Sequence, residues 1–455
     1  YKAATEYSGA PTVILAKTVK GWTLGKGIES RNYTHQAKKM REDELRVFRD
    51  RLELPIPDKG LYDYPYFHPG SGSEEVEYMS ERRASLGGSV PRRVVRSAPL
   101  PRPAPEVDGE FAGGSATEVS TTMVFARILR NLLRDPQIGR RIVPIIPDEA
   151  RTFGLDPLFK EVGIYAAHGQ HYTPVDSELL LSYREAIDGQ VLEEGINEAG
   201  SMASLQAAGS AYATHGEPMI PFYIFYSMFG FQRIGDLAWA AGDMRARGFL
   251  LGGTAGRTTL NGEGLQHEDG HSHILSATIP NCISYDPTFG YEVAVIVQDG
   301  LRRMVAEQED RYYYLTVMNE NYAHPAMPEG AAPDIIKGMY RFREGAKGRK
   351  GGPRVQLLGS GTIFREVIAA ADLLKTDWGV DADLWGCPSF TELARDGNAV
   401  SRRNMLHPGE KPIASHVEQC LAGTEGPVIA ATDYMRAYAE QIRAFMPKGR
   451  TYRVL

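Results

Sequence analysis

The chain has 455 residues, room for two or three domains, and its 42% hydrophobic and 24% charged residues are the balance of a globular protein with large cores. A net charge of −6 supplies no global field for nucleic acid or an anionic membrane, and no run of 18 uncharged apolar residues predicts a membrane span. Cys282, Cys387 and Cys420 lie too far apart for a disulfide framework or a zinc knuckle, so a reducing cytoplasm is the expected compartment.

In chain order, PTVILAKTVK (residues 11–20) reads as a buried strand. Starting at Tyr1, with a strand-like TYRVL at its far end, the sequence is expected to be a piece of a longer polypeptide. The glycine-rich basic stretch 21–40 carries His35, Lys26 and Arg31 just after Lys20, and reads either as a solvated loop or as a lid that orders over an anion. Residues 41–51 predict a helix with acids in its first turn, and 74–86 a short helix. The proline-punctuated segment 97–114 reads as a linker, and the cluster Arg92, Arg93 and Arg96 as a solvated or interdomain patch.

Ser120 is placed to cap a helix in which Val124, Ile128 and Leu132 recur every fourth residue. The strand RIVPIIP (141–147) ends at Asp148 and Glu149, the carboxyl-end position where open α/β sheets bind ligands. A small-residue helix is expected over 190–213, opened by Glu193, Glu194, Asn197 and Glu198. A strand over 219–228 finishes in Tyr226 with Phe229 just beyond, and further strands fall at 248–251, 281–285 and 312–318. The strand-then-helix order predicts a mostly parallel sheet. A third unit begins with a strand over 355–358, a Gly359-Ser360-Gly361 turn and a helix over 363–374. That fragment of the dinucleotide fingerprint lacks its third glycine and its distal acid, so it is only weak support for a nicotinamide cofactor.

Residues 252–273, GGTAGRTTLNGEGLQHEDGHSH, form a long polar loop between two apolar segments, rich in glycine and bearing His267, His271 and His273. Such a loop inside a compact domain reads as an active-site wall. It contains the zinc-protease pattern H-E-x-x-H, which works only when one helix face presents both histidines. The glycines in and around it exclude that helix, and no metal site is assigned from the sequence.

The blocks IPDEARTFG, QVLEEGINEAG, PFYIFYSMFGFQR, GGTAGRTTLNGEGLQHEDGHSH, NENYAHPAMPEG, SFTELARDG and NMLHP together resemble the homodimeric type of bacterial thiamine-diphosphate-dependent pyruvate dehydrogenase. The resemblance implies a transketolase-like α/β fold with mostly parallel sheets flanked by helices. It divides the chain into 1–114, the end of the diphosphate-binding domain plus linker; 115–335, the pyrimidine-binding domain; and 350–455, a C-terminal domain of transketolase type. It implies thiamine diphosphate and Mg²⁺ as cofactors, with the GDG…N motif that holds the metal expected before Tyr1. The implied activity is oxidative decarboxylation of pyruvate with acetyl transfer to the lipoyl group of dihydrolipoamide acetyltransferase, by a cytoplasmic homodimer. Partners would be the lipoyl domain and subunit-binding region of that acetyltransferase, with no nucleic acid and no membrane.

By the same resemblance, Glu198 is the carboxylate on the aminopyrimidine ring nitrogen, Tyr226 and Phe229 line that ring, and Asp148 and Glu149 lie near its amino group. His267 would act at the substrate, His35 in a lid that serves lipoyl acetylation, and Lys20 on diphosphate or pyruvate charge. His271 and His273 receive no role. A transketolase-like enzyme acting on sugar phosphates and a catalytically silent scaffold are the alternatives, separable by substrate assay and by cofactor titration.

Overall fold

A computed structural model describes residues 1–88, 95, 97–103, 109, 111–147, 150–175, 177–178, 183–260, 263–346 and 352–455. The arginine cluster at 92, 93 and 96 lies outside them. The chain divides into two compact units, Tyr1–Arg93 and Val94–Leu455.

In the first unit the helix Glu42–Arg51 forms where it is expected, with Glu42, Asp43 and Glu44 in its first turn; the Glu44 side chain accepts the Arg41 N–H at 2.9 Å. A second helix spans Glu74–Ser85, and its cap Ser73 accepts the Val76 N–H. The strand expected at 11–20 is absent. Those residues carry no ladder, and Val13 and Leu15 are 81% and 93% exposed. A β-branched run becomes a strand only where another strand receives its N–H and C=O groups, and no described segment does so here.

Among the described residues the second unit holds two large sheets and one two-stranded pair. The larger joins β4 (Leu192–Glu193), β1 (Ile142–Ile146), β5 (Ile220–Tyr226), β6 (Phe249–Gly253), β8 (Tyr312–Thr316) and β7 (Cys282–Tyr285), in that order and all parallel. Strands buried on both faces read as unbroken apolar runs, which is why IPFYIFY was legible. The helix Thr121–Leu133 covers this sheet, capped by Ser120 accepting the Met123 N–H at 3.1 Å, with Val124, Ile128 and Leu132 buried. Burying a side chain of that size contributes about 1.5–3 kcal/mol. A short pair, β2 (Ile164–Tyr165) and β3 (Glu185–Ala186), lies beside it in sequence.

The smaller sheet runs β13 (Tyr452–Val454), β12 (Val428–Ala431), β10 (Arg354–Gly359), β11 (Asp381–Gly386) and β9 (Tyr340–Arg343), with only the β9 edge antiparallel. The α/β class with mostly parallel sheets flanked by helices therefore holds.

Two expectations in this unit need correction. Within 97–114, the segment expected as a linker, described residues are tied to the domain: Leu100 N–H donates to Val305 O at 2.9 Å, Gln308 Nε2 to Ser97 O at 3.0 Å, and Phe111 is buried. Its prolines leave the carbonyls and the remaining amides free to find such partners. The helix expected over 190–213 spans Glu198–Thr214 instead. Gly195, at φ +73°, breaks the chain between β4 and the helix, and Asn197 provides the cap, its side chain accepting the Gly200 N–H at 3.0 Å.

Candidate functional site

In the larger sheet the chain leaves β1 for β4 on one side, then returns to β5 on the other. The carboxyl end of β1 is thus the switch point, where open α/β sheets leave a crevice. Glu198 opens the helix after β4, Tyr226 ends β5, and His267 lies in the loop after β6, so sheet topology gathers them at one edge. Asp148 and Glu149, expected here too, lie outside the described residues.

Tyr226 and Phe229 are joined by a tight turn, with Phe229 N–H donating to Tyr226 O at 2.9 Å. His267 packs against both rings, its centroid 4.8 Å from Tyr226 at 76° and 5.0 Å from Phe229 at 64°, while the two rings meet each other at 6.3 Å. Phe153 backs Tyr226 at 5.3 Å. These edge-on contacts fix the imidazole plane. His267 ends a single 3-10 turn, Leu265–His267, followed by non-helical residues, so no helix face presents His267 and His271 together. Among the described residues, no group of three or more His, Cys, Asp or Glu side chains is placed to hold a metal ion.

Among the described residues, His267 Nδ1 is buried without a hydrogen-bond partner. A buried polar atom left unsatisfied costs about 1–3 kcal/mol, so the slot favours a ligand that completes it.

Glu198 shows the partner that the sequence did not reveal. Its Oε1 lies 2.5 Å from Arg233 Nη1, and the Arg233 guanidinium lies 4.3 Å over the Phe229 ring. The five side chains Glu198, Arg233, Phe229, His267 and Tyr226 therefore form one continuous cluster. Beneath it Tyr223 Oη donates to Glu198 O at 3.4 Å, and burial pushes the Tyr223 phenol well up, keeping it neutral.

Other buried polar groups support the wall. Asp269 caps the helix Ser272–Ala277, accepting from His271 N–H, Ser272 N–H and Ser272 Oγ. His273 Nε2 lies 2.9 Å from Thr316 Oγ1, which donates to Asp286 Oδ1 at 2.7 Å; burial holds the His273 imidazole well below its usual pKa, hence neutral. The Asp433 carboxylate, after β12, accepts from Arg257 and Thr258. Arg233, Asp286 and Asp433 escaped the sequence reading because each acts on a partner distant in sequence.

Lys20 and His35 belong to the first unit, where Lys20 Nζ lies 2.7 Å from His35 Nδ1 on an exposed face. His35 sits in the 3-10 turn Asn32–His35.

Residues 106–325 match the family described as pyruvate dehydrogenase E1 component, middle domain, and residues 338–454 the transketolase-like C-terminal domain. Pyruvate dehydrogenase E1 components of Cupriavidus necator and Pseudomonas aeruginosa are 62% and 58% identical over 98% and 100% of the chain. The chain belongs to the pyruvate dehydrogenase E1 component family. The Escherichia coli member is 52% identical over 100% of the chain. The chain spans about half the length of these E1 components: 50% of the Cupriavidus protein and 51% of the other two. Among solved structures, transketolase from Campylobacter jejuni aligns over 100% of the chain and 60% of its own, with a TM-score of 0.59 and 16% identity. Transketolase from Leishmania mexicana aligns over 91% of the chain and 50% of its own, at a TM-score of 0.53 and 13% identity. At such identities these neighbours speak for the fold alone, and the fold is transketolase-like.

Proposed function

We propose that this chain provides the pyrimidine-side and substrate-side walls of a thiamine-diphosphate-dependent pyruvate dehydrogenase. Pyruvate would lose CO₂, its acyl carbon would reach the acetyl level, and the lipoyl disulfide of dihydrolipoamide acetyltransferase would be reduced as one sulfur takes the acetyl group. The observation that carries this reading is the joining of Glu198, Tyr226, Phe229 and His267 at one sheet edge, with a buried nitrogen on His267 that has no partner among the described residues.

The residues fit the group. When bound, thiamine diphosphate supplies the electron sink that a 2-oxo acid needs to release CO₂. Glu198, partly buried and at a helix start, is suited to hold a proton at the pyrimidine ring nitrogen. Tyr226 and Phe229 offer apolar walls that exclude water, which strengthens every charge interaction inside. His267 presents a nitrogen to the reacting oxygen, where a donor stabilises developing charge. Asp148 and Glu149 are assigned to the ring's amino group. Lys20 is assigned to diphosphate or pyruvate charge, and His35 to the lid stage with the lipoyl group.

The division into 1–114, 115–335 and 350–455 belongs to the same proposal, as do Mg²⁺ beside the diphosphate, a homodimer and a cytoplasmic location. Among the described residues no helix is long and apolar enough to cross a membrane.

The test is ferricyanide reduction by the protein with thiamine diphosphate and Mg²⁺, given pyruvate or xylulose 5-phosphate. Turnover of pyruvate alone is expected. Turnover of the ketose phosphate alone would replace this reading with the transketolase-like one. Failure to bind the cofactor in a titration would leave the scaffold.

A further inference from the structure

The loop that carries His267 leaves β6 and returns at the helix Ser272–Ala277, and both its ends are fastened to one turn of the smaller sheet. Asp433, just after β12, is 3% exposed. Its Oδ2 accepts the Arg257 N–H at 2.8 Å, the Thr258 N–H at 3.1 Å and the Thr258 hydroxyl at 2.9 Å. Arg257 answers in turn, Nε donating to Asp433 O at 2.7 Å and Nη2 to Tyr434 O at 3.3 Å. At the loop's far end, Met435 N–H donates to Gly270 O at 2.7 Å, and Asp269 N–H closes the base onto Gly256 O at 3.0 Å. Gly256 is at φ +84°, and a Cβ there would collide with the Asp433 carboxylate, so the close approach requires glycine.

A polar loop with little to bury must be ordered by its anchors. Here the anchors are hydrogen bonds to a buried carboxylate, and charged acceptors make the stronger bonds. The grip of Asp433 on Arg257 and Thr258 sets where the loop towards His267 begins.

We propose that Asp433 is a positioning residue for His267: by holding Arg257 and Thr258, its carboxylate fixes the base of the loop and keeps the imidazole against Tyr226 and Phe229. The proposal rests on the role given to His267 above. It also makes the smaller sheet part of the site's mechanics, since the clamp reaches the loop from the turn after β12.

The first test reads the loop without reading catalysis. Hydrogen exchange is followed in the full-length protein, with and without thiamine diphosphate, for wild type and Asp433→Asn. Amides of residues 265–269 should exchange roughly tenfold faster in the variant, while those of β6 and β12 stay unchanged. Unchanged loop exchange overturns the clamp. The second test is a double-mutant cycle on pyruvate turnover. Asp433→Asn should lower kcat about 10- to 100-fold, the scale expected for a displacement near 1 Å, with KM within about threefold. In a His267→Ala background the same change should cost less than about twofold, because the group it positions is gone. An equal cost in both backgrounds overturns the proposal. If Asp433→Asn does not fold, Thr258→Val, which removes one of the three donors, carries both tests with the same signs. A wild type that fails to turn over pyruvate sinks the functional reading, while the exchange result still decides the clamp.

Discussion

One Arg233 guanidinium serves two neighbours, Glu198 Oε1 at 2.5 Å and the face of the Phe229 ring at 4.3 Å. The Arg233 side chain is 46% exposed, so water screens the ion pair and its stability is worth less than about 1 kcal/mol. Arg233→Met should therefore lower the free energy of unfolding by no more than that. Phe229→Ala, which removes the ring that Arg233 and His267 share, should cost roughly 1–3 kcal/mol. Denaturation curves for the two variants check this. A larger loss for Arg233→Met would mean that the pair holds the fold.

The two histidines should separate by assay. His267→Ala should lower both ferricyanide-coupled decarboxylation and NADH formation in the assembled complex by about 10²–10³, the usual scale for losing a charge-stabilising donor. His35→Ala should spare the first assay relative to the second, because His35 is assigned to the arrival of the lipoyl group. Proportional loss of both activities in both variants would contradict that division.

Stability should depend on pH through Asp286. Burial pushes its carboxyl from 3.8 up to about 7, against the pull of Ser360 and Thr316, which donate to it at 2.7 Å each. The folded state then holds a proton that the unfolded chain has released between those values. Its contribution is complete below about pH 4 and is lost as pH rises through about 7. Glu292, raised to about 7 by burial, acts in the same direction. His273, lowered by burial, acts oppositely: its contribution is present above its unfolded pKa and lost in acid. Asp286→Asn, neutral at every pH, should flatten the decline in urea midpoint between about pH 4 and 7. Parallel curves for variant and wild type would contradict the assignment.

The legible part of this protein was what local pattern determines. β5 and β6 announced themselves because strands buried on both faces must be apolar throughout, and Ser120 was visible as a cap with an amphipathic stripe behind it. Pro11 to Lys20 carries the same signature as β5 but has no ladder partner, so pattern misled where pairing decides. The break at Gly195 turned an expected helix start into β4 and a turn. The cap Asn197 places Glu198 at the helix's first position despite the boundary error. Arg233 and Asp433 were illegible for a different reason. Their partners lie 35 and 176 residues away, and no local periodicity encodes such a meeting.

The most direct test of the account is deuterium exchange at C2 of bound thiamine diphosphate, in wild type and Glu198→Gln. Glutamine keeps the shape of Glu198 but is a poor proton acceptor, so it should slow exchange by roughly 10²-fold or more, on the scale of a lost general acid–base group. Cofactor affinity should change far less, because the diphosphate still anchors it. Equal exchange rates in the two proteins would contradict the role given to Glu198, and with it the site proposed here.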